Sequence, residues 1–205
     1  MKAIYINGIN TTHEEAEAQA AVLNQMLDCK VVLCYNPTFS EKVKYVGVVV
    51  DLLESAYNRF LPWAPNLPVT RKLLAMINSE VKEQRDTVII AHSQGTAIAA
   101  KAMDSLEKVY RTYVQAHFFA NVNSFEPQGF WGELFVNDDD PVRDGMVVSN
   151  RVIRLWNWLR KPERKWKQYT RTGNVHGFIS GHLNRLSEFT GFSESHFYHL
   201  MKKQY

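Results

Sequence analysis

The sequence predicts an α/β domain in which a mostly parallel central sheet of about six strands carries helices on both faces. Three observations predict it. First, short apolar runs alternate with longer segments of helical periodicity, beginning with Met1 to Ile6, a helical stretch from His13, and Lys30 to Tyr35. This strand–helix–strand order is that of a parallel sheet. Second, Val88 to Ala91 is apolar at every position instead of alternating, as a strand buried on both faces requires. Third, 205 residues with 45% hydrophobic content, and 24 basic against 21 acidic side chains, make an ordinary globular chain that can bury one core. That balance excludes a disordered chain or a strongly nucleic-acid-binding one. A single domain over 1–205 is expected, with a helical insertion at about 37–84.

The first strand is broken at Asn7-Gly8-Ile9-Asn10, after which Thr11-Thr12 precedes the acidic His13-Glu14-Glu15. Thr11 or Thr12 is therefore the N-cap of a helix whose apolar stripe is Ala16, Ala20, Leu23 and Leu27, ending near Asp28-Cys29. The strand Lys30 to Tyr35 stops at Asn36-Pro37. In the insertion, Tyr45, Val46, Val49, Leu52, Leu53, Ala56, Tyr57 and Phe60 recur at helical spacing, and a second helix runs from Val69 to Gln84. An apolar stripe of this kind is cover for a sheet face, or alternatively a lid or pocket wall.

After the apolar strand the pattern changes at Gly95 to Thr96, Ala97, Ile98, Ala99 and Ala100, small helix formers that pack tightly on a sheet, in a helix that fades near Val109-Tyr110. Ser93 thus occupies a sharp strand-to-helix turn. Gln115 to Asn121 and Gly132 to Asn137 read as further strands, the second running into Asp138-Asp139-Asp140-Pro141-Val142. Arg151 to Leu159 reads as a last strand. The basic stretch that follows interleaves Arg160, Lys161, Arg164, Lys165, Lys167 and Arg171 with Trp166 and Tyr169. It is either a solvated loop or edge strand, or, over 151–171, a contact with an anionic membrane surface. No nucleic-acid module accompanies it. Thr172 to Phe178 is a loop entering a final helix through Leu183, Leu186 and Phe189.

Ala91-His92-Ser93-Gln94-Gly95 resembles the nucleophile elbow G-x-S-x-G of the α/β hydrolases, with Ala in the first position as in small bacterial lipases. The simpler reading is a serine that merely ends a strand. The resemblance implies a minimal α/β-hydrolase fold lacking the usual first two strands, and a serine nucleophile at Ser93. It implies oxyanion donors in the backbone N–H of Gln94 and in the loop after the first strand, where Ile9, or Asn10 as the alternative, stands. Asp-Pro-Val after a strand matches the acid at Asp140, with Asp138 second. A histidine late in the chain matches the base at His176, with His182 as runner-up. His13, His92, His117, His196 and His199 have no comparable placement. The expected activity is that of a serine esterase or lipase on a small-molecule or lipid ester, with no metal or organic cofactor. A thioesterase or deacylase, a peptidase or lyase, or a catalytically silent binding module are the alternatives.

Cys29 and Cys34 form neither a metal pattern nor a disulfide framework and read as free thiols. With no signal-like or membrane-spanning run, a cytoplasmic protein is expected, export by a route without an ordinary signal being left open.

Overall fold

The computed structural model describes residues 1–37, 67–120, 127–137, 166–172 and 177–201. Its strands are β1 (Lys2–Ile6), β2 (Lys30–Leu33), β3 (Thr87–His92), β4 (Val114–Phe119), β5 (Trp131–Asn137) and β6 (Trp166–Arg171). They form one open sheet in the order β2-β1-β3-β4-β5-β6, and every neighbouring pair is parallel. The α-helices among the described residues are α1 (His13–Met26), α2 (Pro68–Val81), α3 (Gln94–Asp104) and α4 (His196–Leu200). None of them is long and apolar enough to cross a membrane.

Strand alternation sorts the core into two layers. Ile4, Ile6, Ile89 and Ala91 face α2 and α3, meeting Leu73, Ile77, Val81, Ile98 and Ala102. Ala3, Tyr5, Val88 and Ile90 face the other side, with Leu23 and Leu27 at α1 and Phe197 in α4. All six residues of β3 are buried, as its unbroken apolar run requires. α1 starts at Thr12, whose hydroxyl accepts from the Glu15 N–H while the Thr12 N–H donates to the Glu15 carboxylate. This reciprocal box satisfies two of the donors that a helix start leaves over. α2 has Pro68 in its first turn, where the missing N–H costs nothing. It is the described part of the insertion, and Leu73, Ile77 and Val81 make it cover for the sheet.

Two elements differ from the sequence expectation, and a third expectation, the strand at 151–159, lies outside the described residues. β6 is Trp166–Arg171, the edge-strand reading of the basic aromatic stretch. Trp166 fits there because its register partner on β5 is Gly132, and a Cβ at that glycine would overlap the indole. The helix after Ser93 ends at Asp104, and Lys108–Tyr113 is a separate 3₁₀ segment. The final helix is a π turn at Phe178–His182 followed by 3₁₀ turns at Leu183–Glu188 and Phe192–Glu194. Its buried residues, Leu183, Leu186, Phe189 and Phe192, recur every third position, the period of a 3₁₀ helix and not that of an α-helix. Neither Cys29 nor Cys34 is in a disulfide, and burial pushes the Cys34 pKa up to about 11.

Candidate functional site

The strand order sets where a site can form. From β1 the chain moves outward to β2, then crosses to the opposite side of β1 to make β3 and continues away. In open α/β sheets such a reversal leaves a crevice beyond the carboxyl ends of the two strands. The residues leaving β1 and β3 at that crevice are Asn7-Gly8 and Ser93-Gln94.

Ser93 joins β3 to α3 with φ +52° and ψ −124°, a left-sided backbone conformation outside the αL well that a residue with a Cβ adopts only under strain. Close packing imposes it. A Cβ on Gly95 would stand 2.7 Å from the Ile6 carbonyl oxygen and 2.8 Å from that of Asn7, so only glycine lets α3 start this near β1. A Cβ on Gly8 would stand 2.8 Å from the Ser93 Cβ and 3.1 Å from His92 Nδ1. Gly8 is thus required for close approach to the Ser93 turn and not for a positive φ, since only Gly129 and Gly191 have one among the described glycines. Ser93, at 3% exposure, lies within the fold.

The peptide groups beside this turn are held in place. The Ser93 N–H donates to the Phe119 carbonyl at 3.0 Å, extending the β3–β4 ladder by one step. The Ser93 carbonyl accepts from the Thr96 N–H at 2.9 Å and the Thr96 hydroxyl at 2.7 Å. On the β1 side the buried Asn7 amide donates to the Gly8 carbonyl and to the Asn36 carbonyl, each at 3.0 Å, and its oxygen accepts from the Asn36 N–H at 2.8 Å. The Asn36 amide in turn donates to Gln94 Oε1 at 2.8 Å. The exits of β1, β2 and β3 are therefore tied by one buried amide network. Ile9 is partly exposed beside it, and Asn10 is exposed with φ +54°, a sign of φ that Asn tolerates better than most residues.

His182 is fully buried, and its ring lies 5.8 Å from that of His92, the residue before Ser93. Its Nδ1 is 3.3 Å from the Gly177 carbonyl oxygen. A carbonyl only accepts, so Nδ1 carries a proton and donates to it. Phe178 stacks on Tyr5 at 5.0 Å and lies 5.2 Å from the His92 ring, which fixes the chain after Gly177 against the end of β3. Asp138, Asp140 and His176 lie outside the described residues. The described residues before and after them are Asn137 at the end of β5, and Arg171-Thr172 and Gly177 after β6. Asn137 Oδ1 accepts from Arg171 Nε at 3.1 Å, so the last residues of β5 and β6 are joined at the same rim as Ser93.

Sequence reasoning passed over Asn7, Asn36 and Thr96 as functional, although an Asn at each of two adjacent strand exits was a readable signal. It also passed over a second polar cluster. His117 on β4 and Glu133 on β5 are register partners, fully buried, with Nδ1 and Oε2 3.1 Å apart. Glu133 also accepts from the Tyr169 hydroxyl and from the N–H groups of His196 and Phe197. Burial would push the Glu133 carboxyl up, but His117 and those backbone donors outweigh it and hold its pKa below the ordinary value. Among the described residues no three His, Cys, Asp or Glu side chains gather as a metal site would need. In the basic stretch, Tyr169 and Arg171 are buried, Arg171 pairs with Glu188, and Lys167 pairs with Glu194. Its remaining cations, Arg160, Lys161, Arg164 and Lys165, lie outside the described residues.

Compared with models of protein families and with curated proteins, the chain matches none.

Proposed function

We propose that the protein is a serine hydrolase of carboxylic esters with an α/β-hydrolase type of active site, Ser93 being the nucleophile. The observation that carries this reading is the strained Ser93 backbone on a strand-to-helix turn, with the Gly8 loop pressed against its Cβ. Strain of that kind costs about 1–3 kcal/mol and persists only where the surrounding structure enforces it, which is typical of sites where geometry serves chemistry. A serine that merely ended a strand would not need it.

In the reaction, a histidine takes the Ser93 hydroxyl proton as Oγ bonds to the ester carbonyl carbon. The carbonyl π electrons move onto its oxygen, to be met by the N–H groups of Gln94 and Ile9. Collapse breaks the bond to the alkoxy oxygen, which leaves with the histidine's proton, and water then repeats the sequence to release the acid. His176 holds the base role, with His182 as the alternative, and Asp140 the acid role, with Asp138 as the alternative. The order Ser, Asp, His supports this assignment. Phe178, two residues after His176, packs beside His92, and β5 ends one residue before Asp138 at the same rim.

A fluorophosphonate probe tests the nucleophile. Wild type should label and Ser93→Ala should not, and p-nitrophenyl esters of rising chain length should be turned over by the former alone. Equal labelling of the two would leave a binding module with a silent hydrolase fold. Faster cleavage of thioesters than of oxygen esters would move the reading to a thioesterase. Asp140→Asn and His176→Ala should each lower kcat by about 10³-fold or more, and Asp138→Asn and His182→Ala by far less. The reverse pattern exchanges the assignments.

A further inference from the structure

We propose that Asn7 and Thr96 are positioning residues that aim the two oxyanion N–H groups by fixing the peptide planes to which those groups belong. The inference rests on the reading of Ser93 as nucleophile and adds how the site is held. A trans peptide is planar, with its N–H pointing opposite to its C=O, so an anchored carbonyl oxygen fixes the direction of the N–H on the next residue. The Ile9 N–H shares its plane with the Gly8 carbonyl, which accepts from Asn7 Nδ2 at 3.0 Å. The Gln94 N–H shares its plane with the Ser93 carbonyl, which accepts from the Thr96 hydroxyl at 2.7 Å and the Thr96 N–H at 2.9 Å.

Both anchors are rigid. Asn7 is fully buried, and its amide orientation is set by two further bonds, to the Asn36 carbonyl and from the Asn36 N–H. Thr96 is also fully buried and sits on the first turn of α3. Preorganised donors matter because they need no reorientation as negative charge develops. A donor swung away by tens of degrees retains its place in the fold but loses that advantage. This gives the pair of side chains a role that core packing alone would not.

The test measures kcat, KM and thermal unfolding for three variants. Asn7→Asp keeps the shape of the side chain and removes the donor to the Gly8 carbonyl. Thr96→Val keeps its volume and removes the hydroxyl while leaving the backbone bond. Leu73→Ala, in the core between α2 and the sheet, is the control for stability loss alone. Asn7→Asp is expected to lower kcat by about 10–100-fold and Thr96→Val by about 3–10-fold, both with KM near wild type, as for interactions made only in the transition state. Leu73→Ala is expected to melt earlier with the kcat of its folded fraction unchanged. Retention of wild-type kcat by the folded fraction of either positioning variant overturns the assignment for that residue. Should Asn7→Asp fail to fold, Thr96→Val still decides. Absence of both labelling and ester turnover in wild type would instead remove the nucleophile reading itself, so the two failures are distinguishable.

Discussion

At the scale of single residues, the strain at Ser93 makes a prediction about stability that runs opposite to activity. Alanine at this position inherits the same backbone conformation, whereas glycine adopts it without the Cβ penalty. Ser93→Gly should therefore be more stable than Ser93→Ala by about 1 kcal/mol in urea unfolding, even after glycine's extra chain entropy is subtracted. Both variants should be inactive. Equal stabilities, or a more stable alanine variant, would show that the turn is not strained in solution. The glycines around it carry the same logic in mirror image, for Gly8 and Gly95 admit no side chain at all.

At the scale of elements, the unit that matters is β3, its turn and α3. Every residue from Gln94 to Met103 is buried, so the helix lies deep between the sheet and α2 and has little freedom to yield. Gly95→Ala would drive a methyl into the carbonyl oxygens of Ile6 and Asn7, which are backbone atoms and cannot swing aside. The expected loss is about 1–3 kcal/mol, read by the shift of the urea midpoint. Turnover should fall as well, because the displaced helix carries the Gln94 N–H. The α1 cap and the helical stripes behave differently. Thr12 and Glu15 are exposed and satisfy only local donors, so Thr12→Ala should cost about 1 kcal/mol and leave activity alone.

For the whole molecule, the buried cluster around Glu133 joins β4, β5, β6 and α4 and sets how the fold responds to acid. The Glu133 carboxyl is held below its ordinary pKa, so its contribution is present above the unfolded-state value and is lost as pH falls through the folded one. His196 is also held below its ordinary value, by burial first and by the neighbouring His117 second. There the folded state binds fewer protons than the unfolded chain, so stability begins to fall once the pH drops below about 6.5. Both signs agree. Stability should decline from near neutrality downward and more steeply below about pH 4.5. Glu133→Gln should cost about 1–3 kcal/mol at pH 7 and flatten the steep lower limb, as followed by thermal melts from pH 7 to 3. An unchanged limb would place the acid sensitivity elsewhere.

Periodicity and turn chemistry made much of this legible in the amino-acid order. The apolar run of β3, the small residues after Gly95, the Thr-capped α1 and the strand–helix alternation all depend on neighbours along the chain, and local propensity is what such patterns report. The C-terminal turns are not legible in the residue order, because apolar residues at every third position suit a 3₁₀ segment about as well as a ragged α-helix. For β6 the residue order leaves a solvated loop and an edge strand both open, since its exposed positions, Lys167 and Gln168, are polar and Gly132, opposite Trp166, gives no sign of the indole it accepts. Only tertiary structure decided how the chain exits meet. That Asn7 binds Asn36, that Asn36 reaches Gln94, and that His117 faces Glu133 follow from strand register, which brings residues tens of positions apart to one rim. Sequence alone determined the strands and helices from β1 to β5 and where the turn bearing Ser93 falls. The strain on that serine, and the amides that hold the peptides beside it, came from parallel strands closing to backbone contact, a distance no local pattern encodes.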